Sequence, residues 1–126
     1  MWNTYKPGRE LGILLVFSKE SCLMIGNTRW HWACKAKNEW KYFHTSPNPI
    51  EFINKDPSEI NWATVGPIPK TINLNPSRRL SLNDIPLLNV PSNLGIDRAL
   101  SAWCAFQKAS YLSIHKEGLL IVDAGT

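Results

Sequence analysis

The sequence predicts an α/β protein, and three patterns along its 126 residues carry that prediction. Short apolar or alternating stretches between residues 22 and 65 have the length of β-strands. From Gly95 the apolar side chains instead recur every three to four residues, which is typical of an amphipathic helix. A final apolar run at 119–122 has the length and β-branched character of a buried strand. The order βββ(α)β…αβ is that of half of a two-lobed nucleotide-binding fold.

Each element follows from its local pattern. The predicted elements are strands at 22–25, 29–34 and 40–45, a short helix at 50–53, strands at 60–65 and around 80–88, a helix from 95 to about 110, and the strand at 119–122. The first three strands form an antiparallel meander, with a tight Gly26-Asn27 turn between the first two. Alternation places Trp30, Trp32 and Cys34 on one strand face, and we predict that both tryptophans lie in the core.

Composition and charge exclude several classes of protein. A hydrophobic content of 44% and a charged content of 19% are those of an ordinary globular domain. The net charge of +4 comes from scattered residues, so we expect a solvated surface and no nucleic-acid partner. No apolar stretch approaches the ~20 residues of a membrane helix, so no membrane partner is expected. Three widely spaced cysteines without a C-x-x-C pair favour neither a disulfide framework nor a zinc site, and predict a cytoplasmic protein.

The three histidines, His31, His44 and His115, lack the sequence spacing of metal ligands. Three short motifs instead place glycine beside polar residues at the edges of predicted elements. They are Leu23-Met-Ile-Gly-Asn-Thr-Arg29, Gly95-Ile-Asp-Arg98 and Val122-Asp-Ala-Gly-Thr126. Singly, each has an ordinary explanation as a hairpin turn, an acid at a helix start or a turn former. An Asp after a strand can also hold a cation, and a following Gly-Thr can bring N–H groups and a hydroxyl to a phosphate.

Together and in this order, the motifs resemble the amino-terminal half of type III pantothenate kinases, in particular the cyanobacterial branch. That family begins with a D-x-G-N-T/S hairpin, carries a G-x-D-R motif that opens a helix, and continues to a strand ending in D-A-G-T. The resemblance covers roughly residues 22–126 and implies the first lobe of an actin-like, ribonuclease-H-like ATPase fold. We therefore expect residues 1–20 to be an extension of unknown role and residues 21–126 to be a first lobe, truncated before the second.

The resemblance also implies an activity, the ATP-dependent phosphorylation of pantothenate to 4′-phosphopantothenate in coenzyme A biosynthesis. The implied cofactors are ATP, Mg²⁺ and a monovalent cation, K⁺ or NH₄⁺, and the full-length protein would be a homodimer. The residues implied to contact ATP are Ile25, Gly26, Asn27, Thr28, Arg29 and Thr126. Those implied to bind pantothenate are Gly95, Ile96, Asp97 and Arg98, with Asp97 accepting the proton of the reacting hydroxyl as general base. Asp123 is implied to bind the monovalent cation.

Two departures from the family pattern bear on this expectation. Met24 stands where the family usually has Asp, and a thioether does not hold Mg²⁺, which prefers hard oxygen ligands. A tyrosine that often precedes the G-x-D-R motif falls near residues 88–90, where this chain has none. The alternative function is therefore a non-catalytic remnant that acts as a binding protein or transcriptional accessory factor. Met24 favours the remnant, whereas the retained Asp97, Arg98 and Asp123 favour the enzyme.

Overall fold

The computed structural model describes residues 20–123, so the predicted extension before residue 20 and the final Ala124, Gly125 and Thr126 lie outside the described residues. The chain divides after residue 80 into two compact units. The described strands all belong to the first unit, and the α-helix belongs to the second.

A four-stranded sheet forms the first unit. Its strands are β1 (Glu20–Ile25), β2 (Trp30–Ala36), β3 (Glu39–Thr45) and β4 (Asn61–Thr64). The first three pair antiparallel, β4 pairs in parallel with β1, and the order across the sheet is β3-β2-β1-β4. The predicted meander and the strand at 60–65 are thereby confirmed. The short helix expected at 50–53 is a 3₁₀ helix, Pro49–Phe52, which begins at a proline and is capped by the Asn48 side chain.

The hairpin between β2 and β3 has a loop of two residues, Lys37 and Asn38. Lys37 and Asn38 have φ of 52° and 63°, and these left-handed conformations are those a two-residue hairpin loop requires. Asn adopts this conformation readily, whereas Lys does so at a cost in conformational energy.

Tryptophans dominate the core of the first unit. Trp30 and Trp32 are each 2% exposed, as predicted, and both contact the Phe52 ring edge-on at centroid distances of 5.5 and 5.3 Å. Trp62, to which the sequence assigned no role, is also buried, and its Nε1 donates to the Asn75 carbonyl at 2.8 Å. The other buried members of this cluster are Leu23, Ile25, Ile60 and Leu74.

The second unit contains one α-helix, α1, over Ile96–Tyr111, which confirms the predicted helix to within a residue. Its apolar stripe is only partly buried. Ile96 and Ala99 are buried, but Phe106 is 39% exposed and stacks on Trp103 at 5.7 Å between ring centroids. The 3₁₀ helices Leu82–Asp84 and His115–Glu117 lie on either side of α1 in the chain.

Two predicted strands are wrong. Residues 80–88 contain a 3₁₀ turn at Leu82–Asp84, which is closed by a capping box between Ser81 and Asp84. Residues 119–122 have no regular secondary structure, and Leu120 and Val122 are 88% and 79% exposed. A strand exists only when a neighbouring strand accepts and donates its backbone hydrogen bonds. Residues 79–80 make an isolated bridge to β4, in which the Leu80 N–H donates to the Trp62 carbonyl at 2.7 Å, but the pairing does not continue along the segment. No described strand pairs with residues 119–122.

Within the described residues, Cys22, Cys34 and Cys104 form no disulfide. Among residues 20–123, no helix is long and apolar enough to cross a membrane.

Candidate functional site

The first candidate site is the turn that follows β1. Ile25 is fully buried as the last residue of the strand, while Asn27, Thr28 and Arg29 are exposed. The Gly26 N–H donates to the Arg29 carbonyl at 3.0 Å and closes the turn. A Cβ on Gly26 would lie 2.5 Å from that same carbonyl oxygen, so this backbone path requires glycine.

A second glycine, Gly66, packs against this turn from the end of β4. A Cβ on Gly66 would lie 2.2 Å from the Gly26 carbonyl oxygen and 2.9 Å from the Asn27 nitrogen. The N–H groups of Val65 and Gly66 both donate to the Ile25 carbonyl, at 2.9 and 3.2 Å. Because β1 and β4 are parallel, their carboxyl ends meet at one edge of the sheet, where open α/β sheets bind ligands.

Thr64 holds this second glycine in place. Its Oγ1 donates to the Gly66 carbonyl at 2.6 Å and accepts from the Gly66 N–H at 3.2 Å. Sequence reasoning missed both residues, because it assigned residues 60–65 to a strand and gave the glycine that follows no role. The glycine after the strand was visible in the sequence, but only the parallel pairing of β1 with β4 shows that it approaches the backbone of the Gly26 turn.

Met24, the last residue before Ile25, is half-buried on the opposite face of β1. Its thioether occupies the position where the resemblance expected an Asp. Within residues 20–123, no group of three or more His, Cys, Asp and Glu side chains could hold a metal ion. The Met24 thioether supplies no oxygen to Mg²⁺, which prefers hard oxygen ligands.

The second candidate site is the first turn of α1. Gly95 is the N-cap residue, and its carbonyl accepts the Ala99 N–H at 3.1 Å. Asp97 is half-buried, and its Oδ1 accepts the Arg98 N–H at 2.9 Å, while Arg98 itself is exposed. A carboxylate in this turn stabilises the helix, because the unpaired N–H groups there carry partial positive charge. The structure thus brings Gly95, Ile96, Asp97 and Arg98 into one helical turn, as the motif predicted.

The third motif is described only in part. Asp123 is exposed, in a segment without regular secondary structure, so its predicted place at the end of a strand is wrong. Thr126 lies outside the described residues. A single exposed carboxylate does not define a cation site, so the assignment of a monovalent cation to Asp123 stays a prediction.

These elements define an α/β protein in which two glycines meet beyond the ends of parallel strands. Comparison with known proteins narrows that class. The chain is 36% identical over 111 residues to a type III pantothenate kinase of Thermosynechococcus vestitus, a match that covers 82% of the chain and 40% of that protein. Type III pantothenate kinases of Synechococcus elongatus and of a second Synechococcus strain are 29% identical over 121 residues, covering 82% of the chain and 47% of each. No protein-family model and no solved structure matches the chain.

The resemblance stated from the motifs is thereby confirmed. The chain is a relative of cyanobacterial type III pantothenate kinases. The fraction of each relative that it matches is consistent with the amino-terminal half of those proteins. It spans less than half the length of these curated relatives.

Proposed function

We propose that this chain is part of an ATP-dependent kinase that phosphorylates pantothenate to 4′-phosphopantothenate, and that it contributes the first lobe of an actin-like, ribonuclease-H-like fold. The observation that carries the proposal is the contact of Gly66 with the Gly26 turn, in a chain related to type III pantothenate kinases. The sheet supports the fold assignment: three antiparallel strands are followed by a fourth that is parallel to the first, in the order β3-β2-β1-β4. We extend the proposal to a homodimer in the cytoplasm.

The turn after β1 is the proposed contact for the ATP phosphates. Phosphoryl transfer depends on positioning and on neutralising charge more than on covalent chemistry. The two glycines allow the end of β4 to pack directly against the turn, and the exposed residues Asn27 and Thr28 leave part of the turn accessible to a phosphate. The exposed Arg29 guanidinium adds a positive charge with donors suited to phosphate oxygens. In this proposal Ile25, Asn27, Thr28 and Thr126 complete the ATP contacts.

The first turn of α1 is the proposed pantothenate site. Asp97 accepts the proton of the pantothenate hydroxyl as the general base, a role that requires hydrogen-bond reach of the substrate. Arg98 is exposed, and its planar fork of donors suits the pantothenate carboxylate. The backbone of Gly95 and Ile96 supports the substrate beside them, and Asp123 binds the monovalent cation.

Activity is best tested on this chain joined to the carboxyl-terminal part of the Thermosynechococcus relative, with the intact relative as positive control. We expect pantothenate-dependent ADP release in a coupled assay. Asp97→Asn should lower the rate by about 10²- to 10⁴-fold, the usual contribution of a general base. Ser101→Ala, at an exposed position on the same helix, is the matched control and should leave the rate unchanged.

Binding is tested separately on the 126-residue chain, by following its backbone amide resonances during titration with ATP. Shifts at residues 26–29 that are weakened by Arg29→Gln support the nucleotide assignment. A folded hybrid that is inactive, together with a chain that binds no ATP, would favour the non-catalytic binding protein instead. An unchanged rate in Asp97→Asn would contradict the catalytic assignment alone.

A further inference from the structure

The turn after β1 has two backbone N–H groups that form no hydrogen bond within residues 20–123. They belong to the exposed Asn27 and Thr28, whereas the N–H of the preceding Gly26 donates to the Arg29 carbonyl and closes the turn. Successive N–H groups in a turn can form a concave site for an anion. The direction of these two N–H groups therefore decides how well the turn meets a phosphate.

The end of β4 limits the movement of that backbone. Gly66 lies so close to the turn that a Cβ on it would be 2.2 Å from the Gly26 carbonyl oxygen and 2.9 Å from the Asn27 nitrogen. The Gly26 carbonyl and the Asn27 N–H belong to one planar peptide group. Contact with Gly66 therefore restricts rotation of the peptide group that carries the first of the two N–H groups.

Thr64 in turn holds Gly66. Its Oγ1 donates to the Gly66 carbonyl at 2.6 Å and accepts from the Gly66 N–H at 3.2 Å. Thr64 is paired with Ile25 in the parallel register, and the Gly66 N–H also donates to the Ile25 carbonyl at 3.2 Å. One hydroxyl thus fixes both polar groups of Gly66 beside the last residue of β1. Because Thr is β-branched, few rotamers compete with the one that makes these bonds.

We infer that Thr64 is a positioning residue of the nucleotide site. Its hydroxyl holds Gly66 against the peptide group between Gly26 and Asn27, and thereby keeps the Asn27 and Thr28 N–H groups directed at the ATP phosphates. The inference rests on the proposed role of this turn in binding ATP. It gives β4 a part in phosphate binding that the motif after β1 does not contain.

The test measures the affinity of the 126-residue chain for ATP and for tripolyphosphate, from the shifts of its backbone amide resonances. Thr64→Val keeps the shape of the side chain and removes the hydroxyl. We expect its dissociation constant for ATP to rise about three- to tenfold, the equivalent of one weakened hydrogen bond. The rise should be the same for tripolyphosphate, because the turn contacts only the phosphate groups.

Two control variants separate positioning from a general loss of stability. Thr64→Ser keeps the hydroxyl, so its affinity for ATP should be close to that of the parent chain. Thr71→Val, at an exposed position, makes the same chemical change elsewhere in this unit and should leave the affinity unchanged. Each variant is measured below its unfolding transition, where circular dichroism shows the same fold. Amide hydrogen exchange at Asn27 and Thr28 should be faster in Thr64→Val than in Thr64→Ser.

The outcomes distinguish this inference from the proposed function. Equal ATP affinity in Thr64→Val and the parent would overturn the inference and leave the nucleotide assignment intact. A loss in Thr64→Ser as large as that in Thr64→Val would overturn the role of the hydroxyl. A loss for ATP but not for tripolyphosphate would place the effect away from the phosphates and overturn the inference. A parent chain that binds neither ligand would overturn both the inference and the assignment of the turn to ATP.

Discussion

The contact between Gly66 and the turn after β1 makes a quantitative prediction for Gly66→Ala. The added methyl would lie 2.2 Å from the Gly26 carbonyl oxygen and 2.6 Å from its carbon, whereas real Cβ contacts are essentially never under 3.0 Å. The two backbones must therefore separate by about 0.8 Å, from 2.2 to at least 3.0 Å. Both obstructing atoms belong to backbone, and Ile25 accepts two hydrogen bonds from the same segment, so the separation also stretches that pairing.

Overpacking of this kind costs about 1–3 kcal/mol, and a weakened hydrogen bond adds about 1 kcal/mol. We expect Gly66→Ala to lose about 2–4 kcal/mol of unfolding free energy, which lowers the melting temperature by about 6 °C or more. Tryptophan fluorescence reports the transition, because Trp30, Trp32 and Trp62 all lie in the core of this unit. The matched control is Pro67→Ala at the next, exposed position, which should cost less than about 1 kcal/mol.

A Gly66→Ala protein that melts at the wild-type temperature, with unchanged amide resonances at Gly26 and Asn27, would refute the close contact. If the contact is correct and the turn receives phosphate, the same substitution also weakens ATP binding in the folded protein. Loss of stability without loss of ATP binding would leave the packing argument intact and contradict the phosphate assignment.

Two further predictions concern the same unit. Thr64→Val removes the hydroxyl that hydrogen-bonds to both the N–H and the carbonyl of Gly66, so it should lower the free energy of unfolding in urea by about 1 kcal/mol. Thr71→Val, at an exposed position, is the control and should change that free energy little. Equal losses in the two variants would contradict the role assigned to Thr64. Hydrogen bonds from the Ser58 hydroxyl and N–H lower the pKa of Asp56 below its ordinary value of ~3.9. The folded pKa is the lower one, so this stabilisation is complete above about pH 4 and is lost as the pH falls through the folded pKa. Ser58→Ala should raise the pKa of Asp56 in a ¹³C NMR titration, and an unchanged titration would contradict that cause.

The spacing of apolar residues along the sequence predicted most of the individual strands and the helix correctly. Alternation in residues 29–34 predicted β2 and the burial of Trp30 and Trp32, and the 3.6-residue period predicted α1. These succeed because side-chain periodicity follows from the geometry of a single strand or helix. The same reasoning failed at 119–122, since apolar and β-branched character makes a segment suited to a strand but does not supply a partner for its backbone.

By itself, the sequence determined the α/β class, three antiparallel strands, the helix that begins at the G-x-D-R motif, and the relationship to type III pantothenate kinases. Only the tertiary structure decided that β4 lies parallel to β1, and with it that Gly66 presses on the Gly26 turn and that Trp62 joins the core. It also decided that His31 of β2 is paired with His44 of β3. Pairing between strands joins residues that are far apart in the chain. Its register is selected by the free energy of burying one whole face of the sheet, which depends on all the strands together and cannot be read from any single short segment.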